Sequence, residues 1–145
     1  MAVIDGRSWL ELLSAEQCWQ LLRQQHVGRV GVIVDSAPEI YPVNFVVDDN
    51  AVVFRTDVGS KLRALDRSPT VSFEADELQL DERTGWSVLV KGRAHVLSTP
   101  DELKRARDLG LDYWAIGEKP HWIKIAATEI TGRRIHPRAP SPQIN

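Results

Sequence analysis

The residues best suited to chemistry lie in one stretch, from Ala51 to Leu65. Its first part contains Val52-Val53-Phe54, a β-branched and aromatic run that favours a strand. Gly59 permits a tight bend, and Ser60 is a good N-cap for a short helix over residues 61–67. Free N–H groups at a helix start can bind anions, so this stretch is suited to a phosphate.

Three more side chains would complete such a site. Lys61 falls on the first helical turn, where the helix dipole disfavours a cation unless an anion is bound beside it. Arg55 and Thr56 add further hydrogen-bond donors. The alternative is a strand, a loop and a capped helix whose basic residues are simply solvated, and the residues alone leave both interpretations open.

The order and spacing of three segments resemble the pyridoxamine 5′-phosphate oxidase-like family of FMN-binding split barrels. Phe54-Arg55-Thr56 with Gly59-Ser60-Lys61 is similar to the segment that binds the FMN phosphate. Tyr41-Pro42-Val43-Asn44-Phe45 resembles the strand along the isoalloxazine ring, and residues 85–92 resemble the strand that reaches the flavin across the dimer interface. The resemblance covers about Ser14 to Ile135 and is nearest to a small actinobacterial-type branch of unassigned function.

The resemblance implies a homodimeric FMN-binding oxidoreductase that transfers a hydride to or from a small organic substrate. Nine residues would contact the cofactor: Pro42, Val43, Asn44, Arg55, Thr56, Ser60, Lys61, Trp86 and Ser87. Of these, Arg55, Ser60 and Lys61 would serve the phosphate. Trp86 and Ser87 would come from the second subunit.

Two departures from the family limit what it implies about the reaction. Arg55 stands where better-known members carry an aromatic residue. The chain is also shorter than true pyridoxamine phosphate oxidases and lacks recognisable residues for their substrate phosphate. Synthesis of vitamin B6 is therefore not implied.

Three alternatives stay open at this stage. A deazaflavin of the F420 type would need a basic surface for its acidic tail, for which the sequence offers Arg63, Arg67, Lys124, Arg133 and Arg134. Haem would need an axial ligand, and only His121 is suitably placed. A non-catalytic flavin-binding module would explain why no acid–base residue is evident.

Composition narrows the class of protein. The 145 residues suffice for one domain, and the net charge of −2 gives no electrostatic footprint for nucleic acid or an anionic membrane. Cys18 is the only cysteine, which excludes an internal disulfide, and the four histidines lack metal-ligand spacing. No leader or membrane-spanning run is evident, so a cytoplasmic protein is expected.

The hydrophobic pattern predicts a mainly β protein with three short helices. Capping boxes at Ser14–Gln17 and Thr99–Glu102 predict helices to about Gln25 and Leu109, beside the one at 61–67. The six predicted strands are 27–34, 39–47, 51–56, 70–75, 85–97 and 121–135.

The pattern of strands alone fits either a small closed antiparallel barrel or an open α+β sheet. The resemblance selects a six-stranded antiparallel split barrel of the FMN-binding type. Residues 76–84 are expected to form a surface loop. One domain over residues 1–136 and a loosely ordered tail over 137–145 complete the expected organisation.

Overall fold

A computed structural model describes residues 3–5, 9–57, 59–112, 114 and 120–137, with only the backbone of residues 3–5, 60 and 61. Three helices and eight strands make up this part of the chain. In chain order they are β1 (Val3–Asp5), β2 (Leu10–Leu13), α1 (Ala15–Arg23), β3 (Val27–Val34), β4 (Ala37–Asp48), β5 (Ala51–Thr56), α2 (Ser60–Arg67), β6 (Thr70–Gln79), β7 (Thr84–Val96), α3 (Pro100–Asp108) and β8 (His121–Ile135).

Six of the strands close into an antiparallel barrel. The neighbours run β3-β4-β5-β8-β7-β6, and β6 pairs back onto β3. This confirms the predicted fold. The short strands β1 and β2 extend the sheet from the end of β8, where Leu10–Leu13 pairs with Gly132–Ile135. They were not predicted, because three or four residues carry too little alternation to be recognised.

Alternation along the strands places one side-chain row of each strand inside the barrel. The largest fully buried residues of this interior include Val30, Phe54, Phe73, Val90 and Ile123. A smaller second core lies between α3 and the outer face of β5 and β8, where Val53, Leu97, Ala106 and Trp122 pack together. The two cores share β5 and β8, whose opposite faces are both apolar.

Helices α1 and α3 begin with the predicted capping boxes, Ser14 with Gln17 and Thr99 with Glu102. Helix α2 begins differently. Its N-cap is Gly59, whose backbone is extended (φ 167°, ψ −164°), and no side chain caps the helix. The predicted N-cap role of Ser60 is therefore wrong: Ser60 already belongs to the helix, whereas an N-cap residue has non-helical backbone angles.

The expected surface loop over residues 76–84 is also wrong. Strand β6 continues to Gln79 and β7 begins at Thr84, so only residues 80–83 form the turn. Residues 77–83 at the end of this hairpin are all exposed. A strand that is solvent-exposed on both faces shows no hydrophobic alternation, so the pattern did not reveal it. No helix in the described ranges has the length and apolar character needed to cross a membrane.

Asp48 joins α3 to the barrel. Its buried carboxylate accepts hydrogen bonds of 2.9 and 2.6 Å from Nε and Nη2 of Arg105 and one of 3.2 Å from Nζ of Lys124. The paired guanidinium of Arg105 is the main reason that the pKa of Asp48 lies below its ordinary value, and Lys124 adds to the effect. A bidentate arrangement of this kind is among the stronger polar contacts in proteins.

We expect Asp48→Asn to lower the free energy of unfolding at pH 7 by about 1–3 kcal/mol, the range for hydrogen bonds to charged groups. Because the folded-state pKa of Asp48 is depressed, its contribution is present above 3.8 and is lost as the pH falls below that value. Urea unfolding of wild type and Asp48→Asn at pH 7 and pH 2.5 measures the loss of unfolding free energy and its dependence on pH. Asp49→Asn, in the exposed turn, is the matched control. A difference between Asp48→Asn and wild type that persists undiminished at pH 2.5 would contradict this account.

Candidate functional site

Strands β4 and β5 separate at one end of the barrel and leave an open edge. Their ladder ends at the Phe45–Phe54 pair, so within the described chain residues 37–44 of β4 have a ladder partner only in β3. The N–H of Phe45 bonds to the carbonyl of His26, on the β3 side. Since N–H directions alternate along a strand, the nitrogen of Pro42 faces the open side, where it has no hydrogen to leave unpaired.

Val43 and Asn44 follow Pro42 and point to opposite faces. Val43 is buried in the barrel interior, so only its backbone can reach a ligand outside. Asn44 points outward, where its Nδ2 donates to the His26 carbonyl at 3.3 Å and its Oδ1 accepts from the Trp114 N–H at 2.8 Å. The Asn44 side chain therefore ties a segment beyond α3 to the open edge.

Arg55 and Thr56 form the end of β5 beside this edge. The guanidinium carbon of Arg55 lies 4.8 Å from the ring centroid of Trp122, its pairing partner on β8, in a cation–π arrangement. Thr56 is buried, and its hydroxyl donates a long 3.4 Å hydrogen bond to the Asp57 carbonyl. A fixed cation and a weakly used hydroxyl thus lie just before the start of α2.

The start of α2 is the strongest anion-binding feature of the described chain. The Gly59 cap supplies no side-chain acceptor, and the first turn contains no acidic residue, in contrast to the capped, acidic first turns of α1 and α3. The first N–H groups of a helix have no intrahelical partner, so those of α2 are available to an anion. Ser60 and Lys61 belong to this turn, but their side chains lie outside the described part.

Trp86 and Ser87 lie on β7, three strands across the sheet from the open edge of β4. Arg29 of β3 pairs with Pro42 on one side and with Glu74 of β6 on the other, and β6 pairs with β7. At about 4.8 Å between neighbouring strands, the two groups of predicted site residues are roughly 15 Å apart across the sheet. The width of β3 and β6 therefore separates them within one chain.

Two of the basic residues suggested for a deazaflavin tail are paired with carboxylates. Lys124 bonds to Asp48 near α3, and Arg134, ten positions further along β8, lies 3.7 Å from the buried carboxylate of Glu11. Arg63 and Arg67 belong to α2. His121, considered for haem, is a half-buried strand residue opposite Thr56.

Two neighbouring cavities lie at the Trp86 end of the barrel. One of about 530 Å³ and one of about 320 Å³ share Glu82, Ile135 and His136, and the smaller one is also lined by Trp86. Nε2 of His136 lies 2.6 Å from the carboxylate of Glu11. Sequence reasoning missed this contact because the two residues are 125 positions apart and no local motif joins them.

Residues 14–134 match the family described as pyridoxamine 5′-phosphate oxidase. This chain belongs to that family. Among its relatives, an uncharacterised protein of Mycobacterium tuberculosis, Rv0080, is 34% identical over 85% of this chain and 84% of its own. The match confirms the resemblance drawn from the three sequence segments.

Solved structures of the same fold support the assignment to the oxidase family. An FAD binding protein from Mycobacterium smegmatis is 39% identical with a TM-score of 0.71, covering 86% of this chain and 96% of that one. An FAD-binding protein from Mesorhizobium loti is 27% identical with a TM-score of 0.74 and the same coverage. Both carry flavin binding in their names.

The role of Asn44 can be tested by hydrogen exchange at the Trp114 amide. We expect Asn44→Leu to speed this exchange about two- to tenfold, the effect of losing one hydrogen bond of about 0.5–1.5 kcal/mol. Asn44→Asp is the matched control: it keeps an oxygen for the Trp114 N–H and loses only the amide donor to His26. Equal exchange rates in Asn44→Leu and wild type would show that Asn44 does not hold this segment.

Proposed function

We propose that this chain is a homodimeric flavin-binding oxidoreductase, with the flavin ring along the open edge of β4 and its phosphate at the start of α2. The uncapped first turn of α2, immediately after the Arg55–Thr56 end of β5, is the observation that carries the proposal. The FAD-binding relatives at 39% and 27% identity support a flavin as the ligand.

The described residues suit such a ligand. Pro42 presents no N–H to the open edge, so a flat ring can lie there without burying an unpaired donor. Arg55 brings a positive charge beside the α2 start, and Thr56 a hydroxyl that is only weakly bonded inside the protein. Ser60 and Lys61 would add contacts to the phosphate from the first turn of α2.

A bound flavin would supply the hydride chemistry, and the protein would supply binding and orientation. FMN is the cofactor that the sequence resemblance implies, and FAD is the one that the names of the relatives favour. The proposed contacts involve the FMN portion, which both share. Trp86 and Ser87 of a second copy would cover the ring from the other side and leave room for a small organic substrate.

Titration with FMN, FAD and riboflavin tests the site, because riboflavin has no phosphate. We expect saturable binding of a nucleotide near one per chain, and we expect Lys61→Ala to weaken FMN and FAD roughly ten- to a hundredfold while changing riboflavin little. That range is the loss of one charge-assisted hydrogen bond. Lys104→Ala, on α3, is the matched control.

Absence of saturable binding by all three compounds would overturn the proposal. An equal loss for riboflavin and the nucleotides would contradict the phosphate role of Lys61. Saturable binding without substrate-dependent reoxidation of the reduced flavin by quinones or nitroaromatics, above the oxygen background, would make the protein a flavin-binding module and not an oxidoreductase.

Mixing two damaged chains tests whether the site is shared between subunits. Under the proposal, Lys61→Ala damages the site in its own chain, and Trp86→Leu damages the site of the partner chain. If the chains assort randomly after co-refolding, half of the dimers are mixed and each has one intact site, so about a quarter of all sites should regain wild-type affinity. If Trp86 acted within its own chain, mixing would restore no tight site.

A further inference from the structure

The two neighbouring cavities at the Trp86 end of the barrel lie where the start of β2, the end of β8 and the β6–β7 turn meet. Trp9, Leu10 and Ile135 give the larger one, of about 530 Å³, apolar walls, and Trp86 adds a second indole beside the smaller one. Trp9 and Ile135 are 39% and 44% exposed, so both still present apolar surface. Cavities of this size hold small organic molecules, and exposed indoles suit a flat aromatic ring.

One histidine in the shared wall is held in place by a buried carboxylate. Glu11 is 5% exposed, and its carboxylate lies 2.6 Å from Nε2 of His136 and 3.7 Å from Nη1 of Arg134. The backbone beside the ring is fixed as well, because the His136 N–H donates to the Trp9 carbonyl at 3.0 Å. These two contacts set the orientation of the imidazole relative to the cavities.

Nδ1 of His136 is the ring atom that is available to a ligand. An ionised carboxylate only accepts hydrogen bonds, so the ring donates to Glu11 through Nε2, and the neutral ring then keeps an acceptor at Nδ1. Within the described part of the chain, the ring has no second hydrogen bond. Since His136 lines both cavities, a bound molecule with an O–H group can supply the missing donor.

The charged groups around the cavities favour a neutral ligand. Arg134 faces the carboxylate of Glu11, and Arg83 stands beside Glu82 in the β6–β7 turn. Glu77, on the wall of the smaller cavity, already accepts hydrogen bonds from two glutamines. The described walls thus carry no surplus positive charge that would attract an anion.

We propose that these cavities form a binding site for a neutral aromatic molecule that carries a hydroxyl group. Its ring lies against the indoles of Trp9 and Trp86, and its O–H donates to Nδ1 of His136. The site goes beyond the proposed function and does not depend on it, because it uses neither the open edge of β4 nor the start of α2.

Binding of 2-naphthol, a phenol with two fused rings, tests the site. We expect saturable binding near one per chain in equilibrium dialysis at pH 7. The analogue 2-methoxynaphthalene has the same rings without the O–H, and 2-naphthoate carries a negative charge, so each should bind about tenfold more weakly. Equal or tighter binding of either analogue, or no saturable binding of 2-naphthol, would overturn the proposal.

Three variants test the walls of the site. His136→Phe keeps a planar ring and removes the acceptor, so it should weaken 2-naphthol about tenfold and leave 2-methoxynaphthalene unchanged. His95→Phe, at an exposed position of β7 outside these cavities, is the matched control and should bind both compounds as wild type does. Trp9→Ala removes a wall that both compounds use, so it should weaken both alike, roughly threefold or more.

The Trp9 variant keeps the test decisive if His136→Phe fails to fold, since that change leaves the buried Glu11 with Arg134 alone. Unchanged binding of 2-naphthol in Trp9→Ala, or in a folded His136→Phe protein, would overturn the site. A loss in His136→Phe that is equal for the two naphthalenes would contradict the hydrogen bond to Nδ1.

Measuring 2-naphthol binding in the presence of saturating FMN separates this site from the proposed flavin site. We expect the Kd of 2-naphthol to be unchanged by FMN and by Lys61→Ala. Competitive displacement by FMN would place 2-naphthol in the flavin site and overturn this inference. A protein that binds 2-naphthol as expected but binds no flavin would support this site and reject the proposed function, and a protein that binds flavin but not 2-naphthol would do the reverse.

Discussion

The pairing of β7 with β8 is the contact on which the rest of the structure depends. Strand β8 pairs with β5 along its first half, with β7 along nearly its whole length and with β2 at its end. The β7–β8 ladder changes register at Lys91–Gly92, and a Cβ at Gly92 would collide with the Ala126 backbone carbonyl. A side chain at Gly92 would push the two strands apart at this point, so glycine permits the close approach of β7 and β8 there.

The open edge arises where β4 and β5 part. Strand β5 stays paired with β8 along its whole length but leaves β4 after Phe54, so residues 37–44 of β4 keep only β3. Beyond Thr56 the chain leads into α2, and Arg55 is held against Trp122 just before that point. The candidate site is therefore a product of barrel topology and not of any one motif.

Barrel geometry also separates the predicted site residues along the chain. The ends of β8 meet different partners, Thr56 at one end and Trp86 at the other. The open edge of β4 and strand β7 lie on opposite sides of β3 and β6. A single chain therefore holds the two groups of predicted site residues apart, and under the proposed function a second copy supplies Trp86 and Ser87.

The sequence by itself determined the local structure. Apolar and β-branched runs predicted the bounds of β3, β5 and β8, and capping boxes predicted the starts of α1 and α3, because these signals depend on neighbours within a few residues. Local signals could not reveal β2, because its hydrogen-bond partners in β8 are distant in sequence. They also could not reveal the pairing of residues 76–79, because residues 77–79 are exposed and show no hydrophobic alternation. Only the tertiary structure decided which residues meet: it joined Glu11 to His136 and Asp48 to Arg105, and it placed Trp122 beside Arg55. Those outcomes depend on strand order and register, which bring together residues many positions apart and so leave no trace in local spacing.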